Sequence, residues 1–105
     1  MNYEDVETKL HSLTNTLVHE LISLTPESMS EIQFEILSTD DGGADVGLLE
    51  THPDAKKVAL SDAVFTASSH YLPLVKQYVN GWQRTLISLQ EGEEGWQVNV
   101  EFEQA

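Results

Sequence analysis

The sequence contains no cysteine. Disulfide staples and thiol nucleophiles are therefore excluded, and stability must come from buried apolar surface. Basic residues are nearly as scarce: 5 Lys and Arg stand against 18 Asp and Glu, a formal net charge of -13. Such a field repels nucleic acid, anionic membrane surfaces and phosphorylated substrates, and it speeds encounter with basic surfaces. It also keeps a protein soluble, a role that asks nothing of a partner. No apolar run approaches membrane-spanning length. The acidic segment 1–9 lacks the basic region and apolar core of a signal peptide. A cytoplasmic protein with no nucleic-acid or membrane partner is the expectation. Phosphate-cradling glycine loops and Gly-x-Ser-x-Gly elbows are missing too, which removes two common catalytic frameworks.

Apolar residues make up 40% of the chain and fall in periodic segments, as a folded core requires. The length of 105 residues suits one domain over 1–105. Val6, Leu10, Leu13, Leu17, Leu21 and Leu24 recur at steps of four and three, which predicts an amphipathic helix. The heptad stripe is shorter than a coiled coil normally needs, so a core helix is the reading, and the free protein is a monomer or a homodimer. Glu4, Asp5 and Glu7 suit the positive end of that helix. Pro26 stops it, with a short turn over Thr25–Ser28. The period then changes to two: Ile32, Phe34 and Ile36 alternate with Glu31, Gln33 and Glu35. Asp40-Asp41-Gly42-Gly43 provides hairpin chemistry, with a return strand over 44–50 and Val46 and Leu48 inward. Residues 58–60 are expected to add a short edge strand.

Ser61-Asp62 opens a second helix carrying Val64, Phe65, Leu72, Val75 and Val79 on one face, with Tyr71 and Tyr78 at its border. Pro73 predicts a kink or break there, and Asn80-Gly81 an end. A second hairpin follows. Trp82–Gln90 places Thr85, Ile87 and Leu89 inward, 91–95 forms the loop, and Trp96, Val98, Val100 and Phe102 alternate with Gln97, Asn99, Glu101 and Glu103. Burial is expected for both tryptophans, although Trp82 is placed where it could sit at the sheet rim. The order α-β-β-α-β-β predicts a two-layer α+β fold, an antiparallel sheet packed on two helices. Two helices cover one face of a sheet. If the hairpins share that sheet, its other face carries Glu31, Gln33, Glu35, Arg84, Ser88, Gln97, Asn99, Glu101 and Glu103.

No metal or cofactor site emerges. His19-Glu20 begins like a zinc-protease helix, but Ser23 stands where the second histidine is needed. His11 lies roughly 12 Å of helix axis from His19, too far to share an ion. Asp40, Asp41 and Asp45 lack the spacing and distal glutamate of a calcium loop. Ser68-Ser69-His70 puts hydroxyls beside an imidazole, but helix neighbours point apart. The residues point to a protein without catalysis of its own.

The amphipathic helix ending in Leu24-Thr25-Pro26-Glu27, the run Gly81-Trp82-Gln83-Arg84-Thr85-Leu86 and the closing Gly95-Trp96-Gln97-Val98-Asn99-Val100-Glu101-Phe102 carry a further likeness. In element order and acidity the chain resembles the YezG-like immunity proteins, antitoxin partners in bacterial polymorphic-toxin and contact-dependent growth inhibition systems. The resemblance implies a cytoplasmic inhibitor that binds a cognate toxin domain. Many such toxins are nucleases with cationic surfaces, which an acidic inhibitor can occupy. The residues expected to meet the toxin are Glu31, Glu35, Glu101 and Glu103 from the sheet, and Asp40, Asp41, Glu93 and Glu94 from the hairpin loops. A small acidic secretion chaperone is the alternative binder, and an enzyme using His52 or His70 the third.

Overall fold

The computed structural model describes residues 3–104. Helix α1 spans Tyr3–Leu24, strands β1 and β2 span Glu31–Ser38 and Ala44–Leu48, a 3-10 turn spans Pro53–Lys57, helix α2 spans Asp62–Tyr78, and strands β3 and β4 span Trp82–Gly92 and Gly95–Gln104. The α-β-β-α-β-β order and the two-layer α+β class are as the periodicity predicts. All four strands join one antiparallel sheet in the order β2-β1-β3-β4. The hairpins meet through β1 and β3, with Phe34 opposite Ile87 and Ile36 opposite Thr85.

Both helices lie on one face of this sheet. Leu10, Leu17 and Leu21 of α1 and Val64, Ala67, Tyr71 and Val75 of α2 are buried against Ile32, Phe34, Ile36, Ile87 and Leu89. The other face is left to solvent. Among the described residues no helix is long and apolar enough to cross a membrane.

Several local expectations change in the folded chain. Helix α2 runs unbroken through Pro73, which is exposed. A proline on the solvent side of a helix leaves its orphaned carbonyl to water, so the ladder can continue past it. Tyr71 is fully buried rather than at a border, and Phe65 is 47% exposed rather than inward. The buried stripe is Val64, Ala67, Ser68, Tyr71 and Val75, at helical spacing one step away from Phe65. Residues 58–60 form no strand; the segment before them is the 3-10 turn, capped by His52. The β3–β4 connection is only Glu93-Glu94, because Gly92 still pairs with Gly95. Gly95 there adopts φ +117, which favours glycine.

One polar cluster sits in the core between the layers. Trp82 Nε1 donates to Thr85 Oγ1 at 2.8 Å, and Tyr71 Oη donates to the same oxygen at 3.3 Å. Thr85 is fully buried, so these bonds satisfy an atom that would otherwise be costly there. They also fix the bulged start of β3 against α2. Trp82 is buried, as expected; Trp96 is half-buried at the outer strand.

Candidate functional site

The open face of the sheet follows from strand alternation and register. Residues paired across antiparallel strands share a face, so the register sorts the outward side chains into rows. Nearest the β1–β2 turn lie Asp45, Leu37, Arg84 and Glu103. The next row holds Gly47, Glu35, Leu86 and Glu101. Beyond it come Gln33, Ser88 and Asn99, then Glu31, Gln90 and Gln97. Charge is therefore not uniform along this face. One end carries Asp45, Glu35, Glu101 and Glu103 around the half-buried Leu37 and Leu86; the middle and far end are mostly amides and hydroxyl.

Arg84 organises the charged end. Its Nε donates to Glu35 Oε2 at 2.8 Å and its Nη1 to Glu103 Oε2 at 3.0 Å, tying β1 to β4 across β3. Hydrogen bonding to Glu35 first, and to Glu103 second, pushes the Arg84 pKa up, so the guanidinium stays charged. Among the described residues it is the only cation on the face. Lys9 and Lys76 belong to the helices, and Lys56 and Lys57 to the 3-10 turn. Lys56 lies 3.7 Å from Glu50, Lys57 lies 3.4 Å from Asp54, and Lys76 Nζ donates to the Gly42 carbonyl at 3.1 Å.

The eight residues expected to meet a partner do not form one patch. Glu35, Glu101 and Glu103 share the charged end, and Asp40 and Asp41 stand in the adjacent β1–β2 turn. Glu31 lies at the opposite end of the paired strands, with Glu93 and Glu94 beyond it. At about 3.3 Å per residue the two turns are on the order of 30 Å apart. Asp45, within the expected return strand but outside those eight residues, belongs to the charged end as well; its alternation with the inward Val46 is the sequence signal for that. The other carboxylates are spread over both helices, the connections and the end of β3.

Asp41 is held by its own turn. Its carboxylate accepts from the Thr39 hydroxyl and from the Gly43 N–H, and those bonds, that to Thr39 foremost, lower its pKa. The histidines have local settings. His52 Nδ1 accepts from the Asp54 N–H at 3.0 Å and caps the 3-10 turn. Asp54 in turn accepts from Ser28 Oγ at 2.7 Å, which pins this turn to the α1–β1 connection and is the main reason its pKa falls. His11, His19 and His70 are exposed on the helices. Among the described residues no three His, Asp or Glu side chains converge as metal ligands.

A second surface feature lies on the helix side of β4. Trp96, Val98, Val100 and Phe102 point toward the helices but run past their cover: Val98 is 47% and Phe102 38% exposed. Val100 and Phe102 form one wall of an apolar groove of about 120 Å³, with Leu10 and Thr14 of α1 and Tyr71 and Tyr78 of α2 opposite. No protein-family model matches the chain, and no curated protein matches it either.

Proposed function

We propose that this protein is an immunity protein that binds a cognate, basic, nuclease-type toxin domain in the bacterial cytoplasm and neutralises it by covering its cationic surface. The observation that carries this reading is the charged end of the open face. There Asp45, Glu35, Glu101 and Glu103 surround Leu37 and Leu86, with Arg84 the only cation among the described residues and every lysine on another element. An apolar centre within a charged rim is the composition of a protein-binding patch. Negative potential on that patch steers a cationic protein toward it and repels the polyanion that the toxin would otherwise engage. Arg84 holds Glu35 and Glu103 in fixed positions, so part of the ordering that binding demands is already complete.

The test is titration against the product of the neighbouring toxin reading frame at low and high salt. Binding is expected, with an association rate that falls as salt rises, and with the double variant Glu101→Gln/Glu103→Gln slowing association at low salt. Absence of binding at both salt concentrations ends the reading. The apolar groove beside β4 favours a second reading, a secretion chaperone that holds an extended segment. Such chaperones are commonly dimers, so a monomer mass that does not change with concentration counts against it.

A further inference from the structure

The two edges of the sheet differ. β2 is a five-residue strand, and such a short edge offers little backbone for pairing. β4 is a ten-residue edge strand without proline or lysine, and its only irregularity is at the Trp82–Arg84 end of its pairing with β3. Among the described residues nothing pairs with its outer side. A long edge of this kind presents alternate backbone N–H and C=O groups to any strand laid beside it.

Its side chains specify what that strand would carry. On the helix side stand Val98, Val100 and Phe102, beside the groove walled by α1 and α2. On the open side stand Asn99, Glu101 and Glu103, all three exposed. A neighbouring strand also alternates between these two sides, so each of its residues faces one surface or the other. Apolar side chains match the first and basic ones the second. A second copy of the chain matches less well. Antiparallel pairing of two β4 strands brings the glutamates of both copies onto one face, between molecules that each carry a net charge of -13.

We propose that the free edge of β4 receives an extended segment of the partner, in which apolar residues alternate with Lys or Arg, as a fifth strand. Its apolar side chains cover Val98, Val100 and Phe102 and enter the groove; its basic side chains meet Glu101 and Glu103. The backbone pairing gives affinity and the alternation gives specificity. This inference rests on the proposed function, since it takes the partner to be basic, and it moves the centre of recognition from the face to its border.

The probes are two nine-residue peptides of equal composition, one alternating valine and lysine and one with the valines and lysines in separate blocks. Each is titrated into the isotopically labelled full chain at low salt, with amide shifts and hydrogen exchange read residue by residue. The alternating peptide is expected to bind at least tenfold more tightly than the blocked one and to slow exchange of alternate β4 amides. The variant Val98→Lys, at a position already 47% exposed, is expected to lose at least tenfold in affinity while keeping the thermal midpoint of the parent. Val98→Thr keeps strand preference without charge and is expected to lose much less. Equal binding of both peptides with no protection on β4 overturns the edge proposal and leaves the acidic-face reading standing. Failure of both peptides to bind also overturns the edge proposal, while the face reading is judged by the toxin titration. Protection of β4 amides that grows with protein concentration and no peptide overturns it in favour of a second copy.

Discussion

Replacing Arg84 by methionine separates the two roles of the charged face, because stability and association are expected to move in opposite directions. Methionine keeps much of the apolar stem and removes the guanidinium. The Arg84 side chain is 24% exposed and that of Glu35 is 22% exposed, whereas that of Glu103 is 58% exposed. Exposed ion pairs contribute about 0.2–1 kcal/mol each. The shielded Glu35 pair belongs at the top of that range and the Glu103 pair near the bottom. Removal also leaves the Glu35 carboxylate partly buried without its partner, so the total loss is expected to be about 1.5 kcal/mol. For a domain near 100 residues that lowers the thermal midpoint by roughly 6–9 °C. Urea unfolding of R84M, E35Q, E103Q and the two double variants gives the coupling energies directly. The expected couplings are about 1 kcal/mol for Arg84–Glu35 and about 0.3 kcal/mol for Arg84–Glu103, both shrinking in 0.5 M salt. The same R84M protein, with one more unbalanced negative charge on the face, is expected to associate faster with a basic partner at low salt. A coupling larger for Glu103 than for Glu35, or none for either, would refute the account of how this face is held together.

Two further outcomes are expected. Burial pushes the Tyr71 phenol up to about 12, with the bond to Thr85 opposing the shift, against an ordinary value near 10. The protonated form is thus favoured in the fold. Its contribution, about 3 kcal/mol, is fully present below about pH 10 and is lost as pH rises toward 12. Equilibrium unfolding as a function of pH should steepen in that window for the parent and flatten for Tyr71→Phe; an identical slope in both proteins would contradict this. Pro73→Ala restores a helical donor in the middle of α2 at an exposed position, so it is expected to raise stability by about 1–3 kcal/mol in urea melts. A neutral or destabilising result would show that α2 is shaped around the proline.

Periodicity carried most of the architecture because each element buries one face. Leu10, Leu17 and Leu21 at helical spacing, and Ile32, Phe34 and Ile36 at alternate positions, need the same partner layer whatever the details of their connections. Where a local rule competed with context, it sometimes lost. Pro73 is a helix breaker in isolation but sits on the solvent side of a helix held by Tyr71 and Val75. Phe65 is the larger apolar residue, yet the buried stripe follows Val64, because the packing angle of α2 selects the face and size does not. The acids of the candidate site were individually legible as outward positions of strands. That they share one face followed once both hairpins were placed in one sheet; their division between its two ends did not.

The amino-acid order alone determined that one side of β1 and of β4 would be largely polar and acidic, since side chains alternate with a period of two. It also determined that two helices would leave one sheet face uncovered. Only the tertiary structure decided that β1 pairs with β3, in a register that brings Glu35, Arg84 and Glu103 together from strands distant in sequence. The same pairing sent the two acidic turns to opposite ends and left β4 at the border with Val98 and Phe102 uncovered. Register between distant strands depends on how whole surfaces pack, which no local segment encodes.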